Sequence, residues 1–137
     1  MASQEDFNRA QVHRLIDELW NQGRLEVADE VFAPDFKNLN PGPDEAPGTE
    51  GLKNHVRMDR EAFADYHVKI DELVAEGDMV AVRQSWSGRH VGERRGFAPT
   101  GKVIRGTAVN FFRFAGGHIV ERWGLVDALA VMRQLSS

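Results

Sequence analysis

The spacing of apolar residues changes period once along this chain, and that change restricts the fold more than any other feature of the sequence. Val12, Leu15, Ile16, Leu19 and Trp20 recur at helical spacing, so Ser3 to Asn21 is expected to form a helix with one buried face. Asn21-Gln22-Gly23 marks its end, because glycine accepts the left-handed conformation that stops a helix. A second short helix is expected from Leu25 to Phe32, with Val27, Val31 and Phe32 inward and Pro34 closing it. Pro41, Pro43 and Pro47 make the segment from Asn38 to Gly48 a loop. A third helix then begins near Thr49, whose hydroxyl is expected to cap it, and carries Leu52, Val56 and Phe63 on one face.

Beyond that point the period is two. Tyr66, Val68 and Ile70 alternate with His67, Lys69 and Asp71, and Glu76-Gly77-Asp78 reads as a hairpin turn into a strand from Met79 to Ser87. A loop from Gly88 to Gly101 leads to a long strand, Val103 to Phe114, which turns at Gly116-Gly117 into Ile119 to Val126. Ala128 to Leu135 closes the chain as a short helix. Helices first and an antiparallel meander afterwards predict a single α+β domain over residues 1–137, with helices covering one face of a curved sheet.

A chain of 137 residues folds as one domain with room for a core and one internal cavity. Its formal charge of −4 and scattered Lys and Arg offer no basic surface for phosphates, so nucleic acid is not an expected partner. Met1 to Arg14 is polar, without the apolar run of a signal peptide or anchor, and no segment has the apolar length that spans a bilayer. No membrane partner is expected. The absence of cysteine excludes disulfides and thiolate nucleophiles and fits a cytoplasmic protein. His13, His67 and His118 have no second ligand at useful spacing, and neither a phosphate-binding glycine loop nor a nucleophile elbow is present. No metal or organic cofactor is expected.

Several strings in order carry a resemblance. They are Trp20-Asn21-Gln22-Gly23, Ala75-Glu76-Gly77-Asp78-Met79-Val80-Ala81-Val82-Arg83, Arg89-His90-Val91-Gly92-Glu93, Gly96-Phe97-Ala98-Pro99-Thr100-Gly101, Ile119-Val120-Glu121-Arg122-Trp123 and the Arg133-Gln134-Leu135 ending. Together they resemble the SnoaL-like polyketide cyclases of the nuclear-transport-factor-2-like superfamily. That resemblance implies a cone-shaped sheet with a mostly apolar pocket, and a cofactor-free ring closure by intramolecular aldol condensation. It also implies a homodimer packed sheet to sheet.

The same resemblance places a catalytic Asp, an acid and base in the cyclases, at Gly124, which can transfer no proton. The cyclases' two polar residues on the preceding strand fall at Ala108 and Asn110, an aromatic of the first helix at Trp20, an Asn near the mouth at Asn38 or Asn40, and an Asn of the third helix at His55. The resemblance thus implies a retained pocket with a rewritten catalytic centre. Either the reaction changed or the base moved.

Each candidate has a plainer alternative. His55 has the reference pKa of a proton-transfer group, yet a helix histidine with a structural hydrogen bond reads the same way. Asp127 could reach the pocket rim as a second catalytic group, although a carboxylate ahead of Ala-Leu-Ala-Val is a natural helix N-cap. Arg122 shares strand parity with Gly124, the parity that the resemblance turns inward, where it would hold an enolate or a carboxylate or make a salt bridge. Trp86 and Phe112 are core or pocket wall and favour a flat apolar ligand. His90 sets loop shape.

The expected ligand is an apolar, carbonyl-bearing small molecule, bound by Trp20, Asn38, Asn40, Trp86, Asn110, Phe112 and Arg122 and turned over with His55 and Asp127 in cyclisation or isomerisation. Three alternatives remain open: a non-catalytic binding protein, a relative performing hydroxylation or epoxide opening, and a dimeric scaffold or interaction module.

Overall fold

The computed structural model describes residues 3–137. Helix α1 runs Gln4–Arg14, opened by a capping box in which the Ser3 hydroxyl accepts from the Asp6 amide while the Asp6 carboxylate accepts from the Ser3 amide. It continues without a break into a π-helical stretch, Leu15–Trp20, closed by a bond from the Asn21 amide to the Ile16 carbonyl. The wider turn buries Leu15, Ile16 and Leu19 together and leaves Trp20 partly exposed at the helix end. Two side chains secure that end. Asn21 exchanges two hydrogen bonds with the backbone of Val68, at 2.9 and 2.7 Å, and the Arg60 guanidinium donates to the carbonyls of Trp20 and Asn21.

Helix α2 spans Glu26–Val31 and passes directly into strand β1, Phe32–Asn38. The sequence had placed Phe32 in a helix and closed that helix at Pro34, with no strand following. The difference is tertiary: β1 lies at the sheet edge, where a proline is tolerated, and pairs in parallel with a strand some eighty residues later, Asn38 opposite Arg122. After the proline-rich loop, α3 covers Gly48–Ala62. Thr49 does not cap it. Pro47 occupies that position, and the Thr49 hydroxyl instead donates to Asp29 of α2 at 3.1 Å.

Phe63, expected on the third helix, begins β2, Phe63–Glu76. A two-residue turn leads to β3, Met79–His90, and a loop to β4, Val103–Ala115; β5, His118–Val126, and α4, Ala128–Ser136, complete the chain. Strand β3 outlasts the expected Ser87 because Arg89 pairs with both Ala64 and Val103, partners that no local pattern reveals. His90, fully buried at the strand end, pins the following loop: its Nδ1 accepts the Thr100 amide at 3.1 Å.

The sheet order is β1-β5-β4-β3-β2, antiparallel except for β1. Register shifts in β2 between Ala64 and His67 and between Ile70 and Glu72 bend the sheet, and its concave face receives the helices. One apolar cluster joins α1, α2 and β1 to Val80, Val82, Phe112, Phe114 and Ile119; a second joins Phe63 and Ile104 to Val131 and Leu135 of α4. The site lies between these two. No helix among the described residues is long and apolar enough to cross a membrane.

Candidate functional site

A row of polar side chains crosses the concave face at right angles to the strands. Arg122 of β5 donates through Nε to Asn110 Oδ1 of β4 at 3.0 Å and through Nη1 to Asn38 Oδ1 of β1 at 3.2 Å. Asn110 Nδ2 in turn donates to Gln84 Oε1 of β3 at 3.2 Å. A guanidinium only donates, so Arg122 fixes the orientation of both amides. Asn38 then has its NH2 free to donate to Glu45 Oε2 at 2.7 Å.

The other wall is ionic. On α3, one turn apart, His55 Nε2 lies 3.1 Å from Asp59 Oδ2, and Asp59 Oδ1 accepts from Arg94 Nε of the β3–β4 loop at 2.9 Å. His55 Nδ1 faces Glu45 Oε1 at 3.8 Å, too far for a strong hydrogen bond. Trp20 meets the His55 ring edge to face at 5.4 Å, and Tyr66 stacks towards Trp86 at 5.6 Å.

Between these walls lies a cavity of about 60 Å³ whose lining includes Trp20, Leu52, Tyr66, Trp86 and Phe112, with His55, Asp59, Glu45, Gln84, Asn110 and Arg122 as its polar groups. Pockets for drug-sized ligands run to about 300–1,000 Å³, so as it stands this one admits a compact group rather than a fused ring system. Among the described residues no cluster of three or more His, Asp or Glu is placed to hold a metal.

The charges follow from these contacts. Burial by itself would lower the pKa of His55, but the close contact with Asp59 and the nearby carboxylate of Glu45 outweigh it and lift the value to about 9, so the ring is an imidazolium near neutral pH. Burial would raise Asp59, yet His55 and Arg94 hold it below the ordinary carboxylate range. His55 likewise keeps Glu45 low and ionised. Burial pushes the Tyr66 phenol well up, with the charge of Asp59 adding to it, so Tyr66 stays neutral. Burial lowers Arg122, opposed by the charge of Glu45.

Of the residues singled out from sequence, Trp20, His55, Trp86, Asn110, Phe112 and Arg122 line one cavity. Asn38 stands behind it, holding Arg122 and Glu45 together. Asn40 donates to the Gly124 carbonyl at 2.6 Å and Asp127 caps α4 by accepting from the Ala130 amide; neither lines the cavity. Glu45, Asp59, Tyr66, Gln84 and Arg94 were not singled out. The spacing of His55 and Asp59 by one helical turn was a usable signal, whereas nothing local announces that a loop glutamate or Arg94 folds onto them.

A family model described as SnoaL-like polyketide cyclase matches residues 10–135. The chain belongs to that family. The SnoaL-like assignment is matched by an aklanonic acid methyl ester cyclase, AcmA, of Streptomyces galilaeus, 30% identical over 131 residues, which cover 92% of this chain and 88% of the relative. Among solved structures, a SnoaL-like protein of Jannaschia sp. CCS1 superposes with a TM-score of 0.87 at 28% identity, covering 100% of this chain and 96% of the other. TsrD of Streptomyces laurentii follows at 0.82 and 28%, covering 93% and 96%. These neighbours share the α+β cone.

Proposed function

We propose that this SnoaL-like protein binds a compact carbonyl compound and catalyses a cofactor-free proton transfer on it, of the kind that begins a cyclisation or an isomerisation. The observation that carries the reading is His55 held between two carboxylates on the wall of a cavity whose opposite wall is the Arg122–Asn110–Gln84 row. As an imidazolium, His55 keeps one N–H on Asp59, while the 3.8 Å gap at Nδ1 leaves the other for a substrate carbonyl oxygen. Glu45 is the ionised carboxylate beside that gap. In this reading Glu45 removes the proton from the carbon next to the carbonyl, the electron pair moves onto the oxygen, and His55 gives that oxygen its proton. Asn110 and Arg122 hold a second oxygen of the substrate. Glycine at position 124 therefore does not leave the cavity without acid and base groups; they come from α3 and the loop ahead of it.

The test is hydrogen–deuterium exchange at the α-carbon of a 2-methyl-3-oxo ester, followed by proton NMR. The protein is expected to accelerate exchange above buffer, and His55→Gln and Glu45→Gln each to remove about 10²-fold of that acceleration, the lower range for a positioned acid or base. Saturable binding without acceleration would instead support a binding protein.

The convex face of the sheet supports a homodimer. Phe111 and Trp123 pair across β4 and β5 with ring centroids 6.0 Å apart, and with Leu125 they are 44%, 38% and 54% exposed. A contiguous apolar patch on a sheet face suits a self-complementary contact.

A further inference from the structure

Arg94, which pairs with Asp59 without lining the cavity, joins the lining cations His55 and Arg122 against two carboxylates, Asp59 and Glu45. His55 and Arg94 both pair with Asp59, and His55 also faces Glu45. Arg122 takes part in none of these ion pairs; among the described residues its partners are two neutral amides, Asn110 and Asn38. Those contacts use two of the five N–H groups of the guanidinium, leaving Nη2 without a protein acceptor. Nη2 sits directly over Gly124, in the space that a side chain there would fill, and Arg122 lines the cavity. The Gly124 carbonyl accepts from Asn40.

A partly buried cation with no carboxylate in direct contact is costly, and a planar fork with free N–H groups is the geometry that recognises a carboxylate through paired hydrogen bonds. We propose that the compound this cavity takes carries a free carboxylate, seated on Arg122, in addition to its reacting carbonyl. The oxygen on Arg122 is thus anionic in the bound ground state. This rests on the small-molecule reading above and names its substrate class: a compact oxo acid rather than its methyl ester. The imidazolium charge of His55, drawn off by Asp59 and Glu45, is not available to neutralise the anion, and Arg122 is.

The experiment is an NMR titration of nitrogen-15-labelled protein at neutral pH and matched ionic strength, with levulinate and with methyl levulinate. The Arg122 Nε–H and the indole N–H signals of Trp20 and Trp86 report occupancy. Levulinate is expected to bind about tenfold more tightly than the ester or better. Arg122→Gln, its fold checked by thermal melting, is expected to remove that preference, and Arg122→Lys to keep part of it. Equal or tighter binding of the ester overturns the carboxylate assignment while leaving the small-molecule reading intact. A preference that survives Arg122→Gln overturns it too. Binding of neither compound overturns both readings.

Discussion

The guanidinium of Arg122 occupies the space that a side chain at position 124 would need. A Cβ built on Gly124 collides with Arg122 Nη2 and with Asn110 Oδ1, so the glycine and the Arg122–Asn110 bond are two parts of one arrangement. The resemblance put a catalytic carboxylate at this position, and the structure supplies the reason that none fits beside the present Arg122.

Gly124→Ala is therefore expected to displace Arg122 from Asn110 rather than strain the backbone. Overpacking of this kind costs about 1–3 kcal/mol. Thermal melting reads the loss, and the NMR signal of the Arg122 Nε–H should move. An unshifted signal would show that the row tolerates the added methyl.

The His55 pKa of about 9 has a definite sign for stability. The folded value lies above the reference of 6.5, so the contribution is complete below pH 6.5 and is lost as pH rises through 9. Stability should fall over that window by an amount on the order of 2 kcal/mol, reduced from the full shift because the ring is partly exposed. His55→Gln should flatten the slope. Asp59→Asn should bring the titration of His55, followed by imidazole NMR, back towards its reference value.

Gly51 lets the proline-rich loop press onto α3. A Cβ there would meet the Ala46 carbonyl and lie 2.9 Å from Glu45 Cγ. Gly51→Ala is expected to lift Glu45 away from His55, lowering the His55 pKa and slowing α-carbon exchange by about 10-fold or more, while the melting temperature changes by only a few degrees. Unaltered exchange would remove Glu45 from the proposed chemistry.

Trp123 stands on the convex face, away from the cavity. Trp123→Glu should convert a dimer to a monomer in sedimentation velocity and leave levulinate binding unchanged. A wild-type protein that sediments as a monomer at high micromolar concentration would dispose of the dimer.

The sequence by itself determined the order of helices and strands apart from β1, since the change of period at Tyr66 is a local property of side chains meeting a core. Helix and strand periodicity also assigned Trp20 and Phe112 to buried faces before any partner was known, and the family resemblance added Asn110 and Arg122. Strand β1 was not legible: Pro34, Asp35 and Lys37 have no strand pattern, and only pairing with β5 extends them. The ionic wall was half legible, as a histidine and an aspartate one helical turn apart. Its remainder, Glu45 and Arg94 on two loops, was decided by tertiary structure alone. The bonds Asn38–Glu45 and Arg94–Asp59 span 7 and 35 residues, and no local propensity encodes a contact whose two halves meet only after the sheet has curved. The charge of the site was decided there as well. His55 is an ordinary histidine in the sequence and an imidazolium in the fold, because packing brings Glu45 to the side of the ring opposite Asp59.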